Sequence, residues 1–161
     1  MQLWRRGVSM LAGLALGMGV VHAGTVTVRF VDPQTFFDAI DLPEPGATPT
    51  LSGIADHLRR LGQKHLPPEQ VLSIDVLDID LIGKLRPSRH AGFVRVATSP
   101  ADWPRVTLRY RLEANGRLIS SGRESVADLG FAGRIEPPAV DNLRYEKRML
   151  SNWFRDRFAA R

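Results

Sequence analysis

Apolar and polar positions follow two different periods along this chain. The longest apolar run past the N-terminal segment is Val71–Ile82, VLSIDVLDIDLI. Its β-branched Val71, Ile74, Val76, Ile79 and Ile82 favour extended backbone and predict a long central strand. That strand carries three carboxylates, Asp75, Asp78 and Asp80. Upstream, Val26, Val28 and Phe30 alternate with Thr27 and Arg29, a half-buried strand over Thr25–Val31 that Asp32-Pro33 ends. Downstream, Val106, Leu108, Tyr110 and Leu112 alternate with Arg105, Thr107, Arg109 and Arg111, which predicts a strand over Arg105–Leu112. Asn115-Gly116 then signals a hairpin into Arg117–Val126, a more polar strand suited to a sheet edge. Between them, Lys84–Trp103 is a basic and irregular connection in which Phe93–Val96 forms a short edge strand.

Two stretches show the helical period. Leu51, Ile54, Ala55, Leu58 and Leu61 share a face over Leu51–His65, with Thr50 placed to cap and Pro67-Pro68 to stop the helix. Gly62 weakens it by about 1 kcal/mol relative to Ala, so packing must hold it. In Leu143–Phe158 the stripe is Leu143, Met149, Leu150, Trp153, Phe154 and Phe158, with Asp141 as the capping residue. The pattern predicts an α+β domain: a mixed, mainly antiparallel sheet of four to five strands, with two amphipathic helices packed on one face. A crossover through the first helix makes the first two strands parallel. Asp38–Pro49 and Leu129–Val140 read as loops, and one ring of Phe36-Phe37 tucks onto the core.

The first 23 residues read differently. Arg5 and Arg6 precede the uncharged Val8–Val21, and Val21-His22-Ala23 offers small residues at the two positions a signal peptidase reads. The run is short for a membrane span, which takes about 20 apolar residues, and Gly13, Gly17 and Gly19 interrupt it. Cleavage after Ala23 and export to the periplasm is the expectation, leaving 24–161 as a single domain.

Charge divides the remainder. Residues 24–82 hold four Lys and Arg against nine acids, net −5, while residues 83–161 hold 16 against eight, net +8. The halves can neutralise each other within one sheet, and a residual basic face suits an anionic polymer or lipid. No cysteine is present, which removes disulfides, thiolate metal sites and cysteine nucleophiles.

The carboxylates are the strongest candidate chemistry. On a regular strand Asp78 and Asp80 share one face and Asp75 points to the other. Two carboxylates are too few for a calcium cage of about six to eight oxygens, and cross-strand pairing with Arg105 and Arg109 is favoured over a catalytic or metal role. His57 and His65 read as surface and helix-end residues. No metal, cofactor or catalytic residue is expected, since no nucleophile elbow, phosphate loop or dinucleotide turn occurs. The candidate binding residues are Asp78, Asp80, Lys84, Arg86, Arg89, Arg95, Arg105 and Arg109.

Four segments together carry a resemblance: VTVRFVDPQTF (Val26–Phe36), DVLDIDLIG (Asp75–Gly83), WPRVTLRYRL (Trp103–Leu112) and LRYEKRMLSNWF (Leu143–Phe154). They are similar to the bacterial domain-of-unknown-function family 3016. The resemblance implies a small exported protein of Gram-negative bacteria, and it implies no catalytic or binding residue. The leading expectation is a periplasmic, non-enzymatic binding or accessory protein whose partner is an envelope protein or an anionic polymer. Nucleic acid is not an expected partner, because an exported protein rarely meets it. A metal-dependent or hydrolytic enzyme using Asp78 and Asp80 is one alternative. Anionic lipid or polymer binding through the basic loop is another.

Overall fold

The structure, a computed structural model, describes residues 23–38, 47–89, 92–97, 99, 102–131 and 141–159. The expected signal segment Met1–Ala23, apart from Ala23, and the greater part of both expected loops lie outside these residues. Among the described residues, six strands and two α-helices run in the order β1 (Thr25–Phe30), α1 (Ala47–His65), β2 (Gln70–Asp80), β3 (Lys84–Ser88), β4 (Gly92–Val96), β5 (Arg105–Ala114), β6 (Arg117–Ala127) and α2 (Arg144–Phe158). A short 3-10 turn at Pro33–Thr35 follows β1.

The main sheet has the strand order β1-β2-β5-β6. β1 lies parallel to β2, as the crossover through α1 requires, and the other pairs are antiparallel. The α+β architecture therefore stands, with β2 central and β6 at an edge. The β5–β6 turn has Asn115 at φ 50° and Gly116 at φ 75°, the left-handed pair that a tight hairpin needs. The basic connection differs from its expectation. It folds into a separate two-stranded hairpin, β3 against β4, instead of one edge strand in an irregular loop.

β2 departs from regular alternation at one residue. Pairing with β5 slips between Val76 and Asp78, so Leu77 is the extra residue of a bulge. Leu72, Ile74 and Val76 are buried before it, and Ile79 after it. The slip restores one face for all three acids. Asp75 is thus a neighbour of Asp78 and Asp80, contrary to the opposite face that unbroken alternation assigns it.

The helices cover the other face, α1 over β1 and α2 towards β6, and they also touch each other. Ile54 and Leu58 of α1 join Leu72, Ile74 and Leu108 of the sheet and Leu150 and Phe154 of α2 in one core, all at most 1% exposed. Tyr110, Trp153, Phe154 and Phe158 pack edge-on with centroids 5.2–6.2 Å apart. Trp153 Nε1 donates to Glu124 at 3.0 Å, so the indole is buried with its donor satisfied. Phe36 is buried and Phe37 is 70% exposed, which is the predicted split.

α1 starts three residues before Thr50, which is helical and caps nothing. Gly62 is also more than a weak point. A Cβ there would stand 2.1 Å from Val26 Cγ2, so glycine lets the helix sit close on β1. His57 is half-buried and not a surface residue. Its Nε2 lies 2.8 Å from both Lys147 O and Ser151 Oγ, tying α1 to α2, and burial holds its pKa below the ordinary value despite the Lys147 bond.

Candidate functional site

Neither described α-helix packs on the second face of the main sheet, and its composition is that of a surface built to be polar. One cross-strand row runs Arg29, Asp75, Arg109 and Arg123 through all four strands. The next row runs Thr27, Ser73, Arg111 and Ser121. Together they line an open groove of about 590 Å³. Four guanidiniums face one carboxylate there.

Asp75 organises the row. Its Oδ1 accepts from Arg29 Nε at 2.9 Å, and its Oδ2 accepts from Arg109 Nη2 at 2.6 Å. Partial burial pushes its carboxyl up, but the hydrogen bonds and charges of Arg109 and Arg29 outweigh this and hold it below the usual carboxylate range. Arg111 pairs with Glu113 at 2.7 Å on its own strand. The Arg123 side chain has no hydrogen-bond or ion-pair partner among the described residues. The row thus pins two guanidiniums and leaves their outer edges, with Arg123, facing solvent.

The opposite end of the same face is closed. Asp80 accepts from Arg105 at 2.7 Å, the predicted pairing. Asp78 does not meet an arginine: its Oδ1 accepts the Phe37 N–H at 2.8 Å. Arg109, expected opposite Asp78 or Asp80, pairs with Asp75, which the one-residue bulge sets opposite it in place of Val76. Asp38 adds a hydrogen bond from the Leu81 N–H, fastening the segment after the 3-10 turn to the end of β2.

The remaining basic candidates divide in two. Lys84, Arg86 and Arg89 are exposed on the β3–β4 hairpin. Arg95 is not with them: it is 4% exposed and points inward. Its Nη1 donates to Gly83 O at 3.0 Å, and its charge acts on Glu146 in the first turn of α2. Glu146 is fully buried, with Oε1 accepting the Ile82 N–H at 2.9 Å and Oε2 without a hydrogen-bond partner among the described residues. Burial pushes its carboxyl up to about 7 against the pull of Ile82, its own N–H, Arg95 and Arg144. Asn142 completes the junction, taking the Arg95 N–H on its carbonyl oxygen at 2.9 Å and donating to Phe93 O at 3.1 Å. One asparagine side chain therefore stands where a further strand would pair with β4.

A family model described as a protein of unknown function, DUF3016, matches residues 24–156. The chain belongs to the DUF3016 family. Neither a curated protein nor a solved structure matches it. In this DUF3016 domain the sequence pattern brings Asp80 and Arg105 together correctly, but it leaves Arg29, Asp75, Arg111 and Arg123 out of the candidate site. The alternation of Arg29 with Val28 and Phe30, and of Arg109 and Arg111 with Leu108, Tyr110 and Leu112, already places these arginines on one face. Strand order, which sequence does not give, is what joins them.

Proposed function

We propose that this protein is a non-enzymatic binding module of the cell envelope that holds an extended anionic ligand along the open face of its main sheet. The row Arg29–Asp75–Arg109–Arg123 is the observation that carries this. It spans four strands, roughly 14 Å at the usual strand spacing, and guanidiniums in fixed positions suit carboxylate or phosphate groups. Thr27, Ser73 and Ser121 add hydroxyls beside them. A hydrolytic or metal role for Asp78 and Asp80 has less support, because Asp78 holds the Phe37 N–H and Asp80 holds Arg105.

Export is part of the same proposal. The family match begins at Gly24, directly after the expected cleavage point, and the Gly24 N–H bonds Leu66 O at 3.1 Å. No helix among the described residues is long and apolar enough to cross a membrane.

Calorimetric titration with sodium polyphosphate and with polyglutamate across a salt series tests the site. Binding that weakens as salt rises, and falls about tenfold or more in Arg109→Gln and in Arg123→Gln, is the expected result, since one charge-assisted contact is worth about 1.5–3 kcal/mol. Lys64→Gln, on α1 and away from the open face, serves as the unchanged control. Equal affinity in all three variants removes the open face as the binding surface.

A further inference from the structure

The groove runs across the strands, but β6 also presents a surface along its length. Among the described residues β6 pairs with β5 alone, so its outer edge offers backbone N–H and C=O groups to no described strand. The pairing passes over Ile119, and beyond that bulge Ser120–Ala127 is regular. Edge strands are ordinarily guarded by proline, lysine or a covering element, because an open row of backbone groups pairs with any extended chain. β6 contains neither proline nor lysine. Its charges point to what it can receive. Arg123 is exposed and ends the row Arg29, Asp75, Arg109, Arg123. Its inner neighbour is Arg109, and the two oxygens of Asp75 are taken by Arg29 and Arg109. The row therefore closes on a like-charge pair, which is unfavourable across strands. An acid that relieves it has its place on the outer side of β6.

We infer that β6 receives an added strand from a partner polypeptide, an extended acidic segment that bonds the edge through its backbone and sets a carboxylate opposite Arg123. Ser121 and Ser125 flank Arg123 on the same face, and Leu118 and Ile119, 50% and 57% exposed, give apolar contact at the hairpin end. The opposite edge of the sheet fits such a segment less well. β1 is six residues long, and its Arg29 is already paired with Asp75. A second copy of β6 does not supply the acid. In an antiparallel pair that continues the sheet, facing residues share a face, and the open face of the regular stretch carries only Ser121, Arg123, Ser125 and Ala127. Glu124 is on the core side, where Trp153 Nε1 at 3.0 Å and Arg157 at 2.9 Å hold it. This edge lies beyond the groove and shares Arg123 with it.

Hydrogen–deuterium exchange of the full-length protein tests the edge. The probe is a short synthetic peptide of alternating glutamate and valine, acetylated and amidated at its ends. The expected result is slower exchange within Ser120–Ala127, with β1 unaltered. The same peptide N-methylated at every amide keeps its charges but has no N–H to donate, and it should bind about tenfold more weakly or worse. Arg123→Glu should lower affinity for the glutamate peptide about tenfold and favour the matching lysine–valine peptide, because an attraction and a repulsion change places. Equal binding of the methylated peptide overturns the proposal, since charge alone then suffices. Absence of binding, or protection of β1 in place of β6, also overturns it. So does slowed β6 exchange that rises with protein concentration without peptide, which makes a second copy the occupant. Arg109→Gln should weaken polyphosphate binding and leave the β6 protection in place, so failure of the groove and failure of the edge are distinguishable.

Discussion

Glu146 is the residue at which burial and charge conflict most sharply. Its folded pKa of about 7 lies above its ordinary 4.5. Folding therefore takes up a proton between these values, and stability is full below pH 4.5 and declines as pH rises towards 7. The decline is on the order of 3 kcal/mol, at about 1.4 kcal/mol per pH unit. Glu146→Gln keeps an acceptor for the Ile82 N–H and removes the ionisation, so urea unfolding at pH 5 and pH 8 should show a flatter profile and a more stable variant at pH 8. Asp75 has the opposite sign. Its pKa is held low, so its contribution is present above the ordinary carboxylate pKa of 3.8 and is lost in acid. Both its arginine partners are more than half exposed, so Asp75→Asn should cost at most about 1 kcal/mol. The same variant frees Arg29 and Arg109, and polyphosphate should bind it more tightly than the parent. A weaker binder would mean that Asp75 positions the guanidiniums more than it competes for them.

At the scale of elements, α2 and the hairpin depend on different kinds of contact. Trp153 sits among Tyr110, Phe154 and Phe158, and Trp153→Ala should cost about 3–5 kcal/mol, a large part of the ~5–15 kcal/mol that holds a typical domain together. Denaturant unfolding checks this, and an unchanged midpoint would place the helix outside the core. The hairpin rests instead on Asn142 and Arg95. Asn142→Ala removes two hydrogen bonds from the β4 edge, and faster deuterium exchange at the Arg95 amide, with the exchange of β2 and β5 unaltered, is the expected local signature. The helices and main strands were legible in the sequence because their apolar periods are long and regular. The hairpin was not. KLRPS and GFVRV mix charge, proline and apolar residues without a period, and what makes them strands is each other together with a single asparagine some fifty residues later. Glu146 was hidden for a related reason. It lies in a helix turn rich in Arg and Lys, where a glutamate looks like an ordinary surface partner, and only its seat beside Ile82, whose N–H it accepts, buries it.

For the whole molecule, the acidic first half and the basic second half do meet in one sheet, as Asp75–Arg109 and Asp80–Arg105 show. Neutralisation is incomplete: among the described residues, Arg123 on the open face and Lys84, Arg86 and Arg89 on the hairpin are among the cations left without a carboxylate partner. The sequence carried the excess but not its distribution, because distribution needs strand order. Sequence likewise could not say that Arg95 turns inward while Lys84, Arg86 and Arg89 stay outside. Intact mass of the protein recovered from a Gram-negative host tests export: the expected species begins at Gly24, and a mass that retains Met1–Ala23 would make the leader an anchor.

Leu77 gives the central strand two reading frames. Before it the odd-numbered residues face the open side; after it the even-numbered ones do. Removing this one residue leaves Asp75-Val76-Asp78-Ile79-Asp80-Leu81, a sequence in perfect alternation that keeps every acid and every core residue on its present side. A deletion in the middle of a core strand ordinarily turns half of it inside out, yet here the expected product is a folded protein with a native-like circular dichroism spectrum. What it should lose is curvature, because a bulge sharpens the local twist of its strand. Leu77 is then a spacer that shapes the sheet without contributing to its pattern, and the flattened variant would show how far the spread of the arginines depends on that bend.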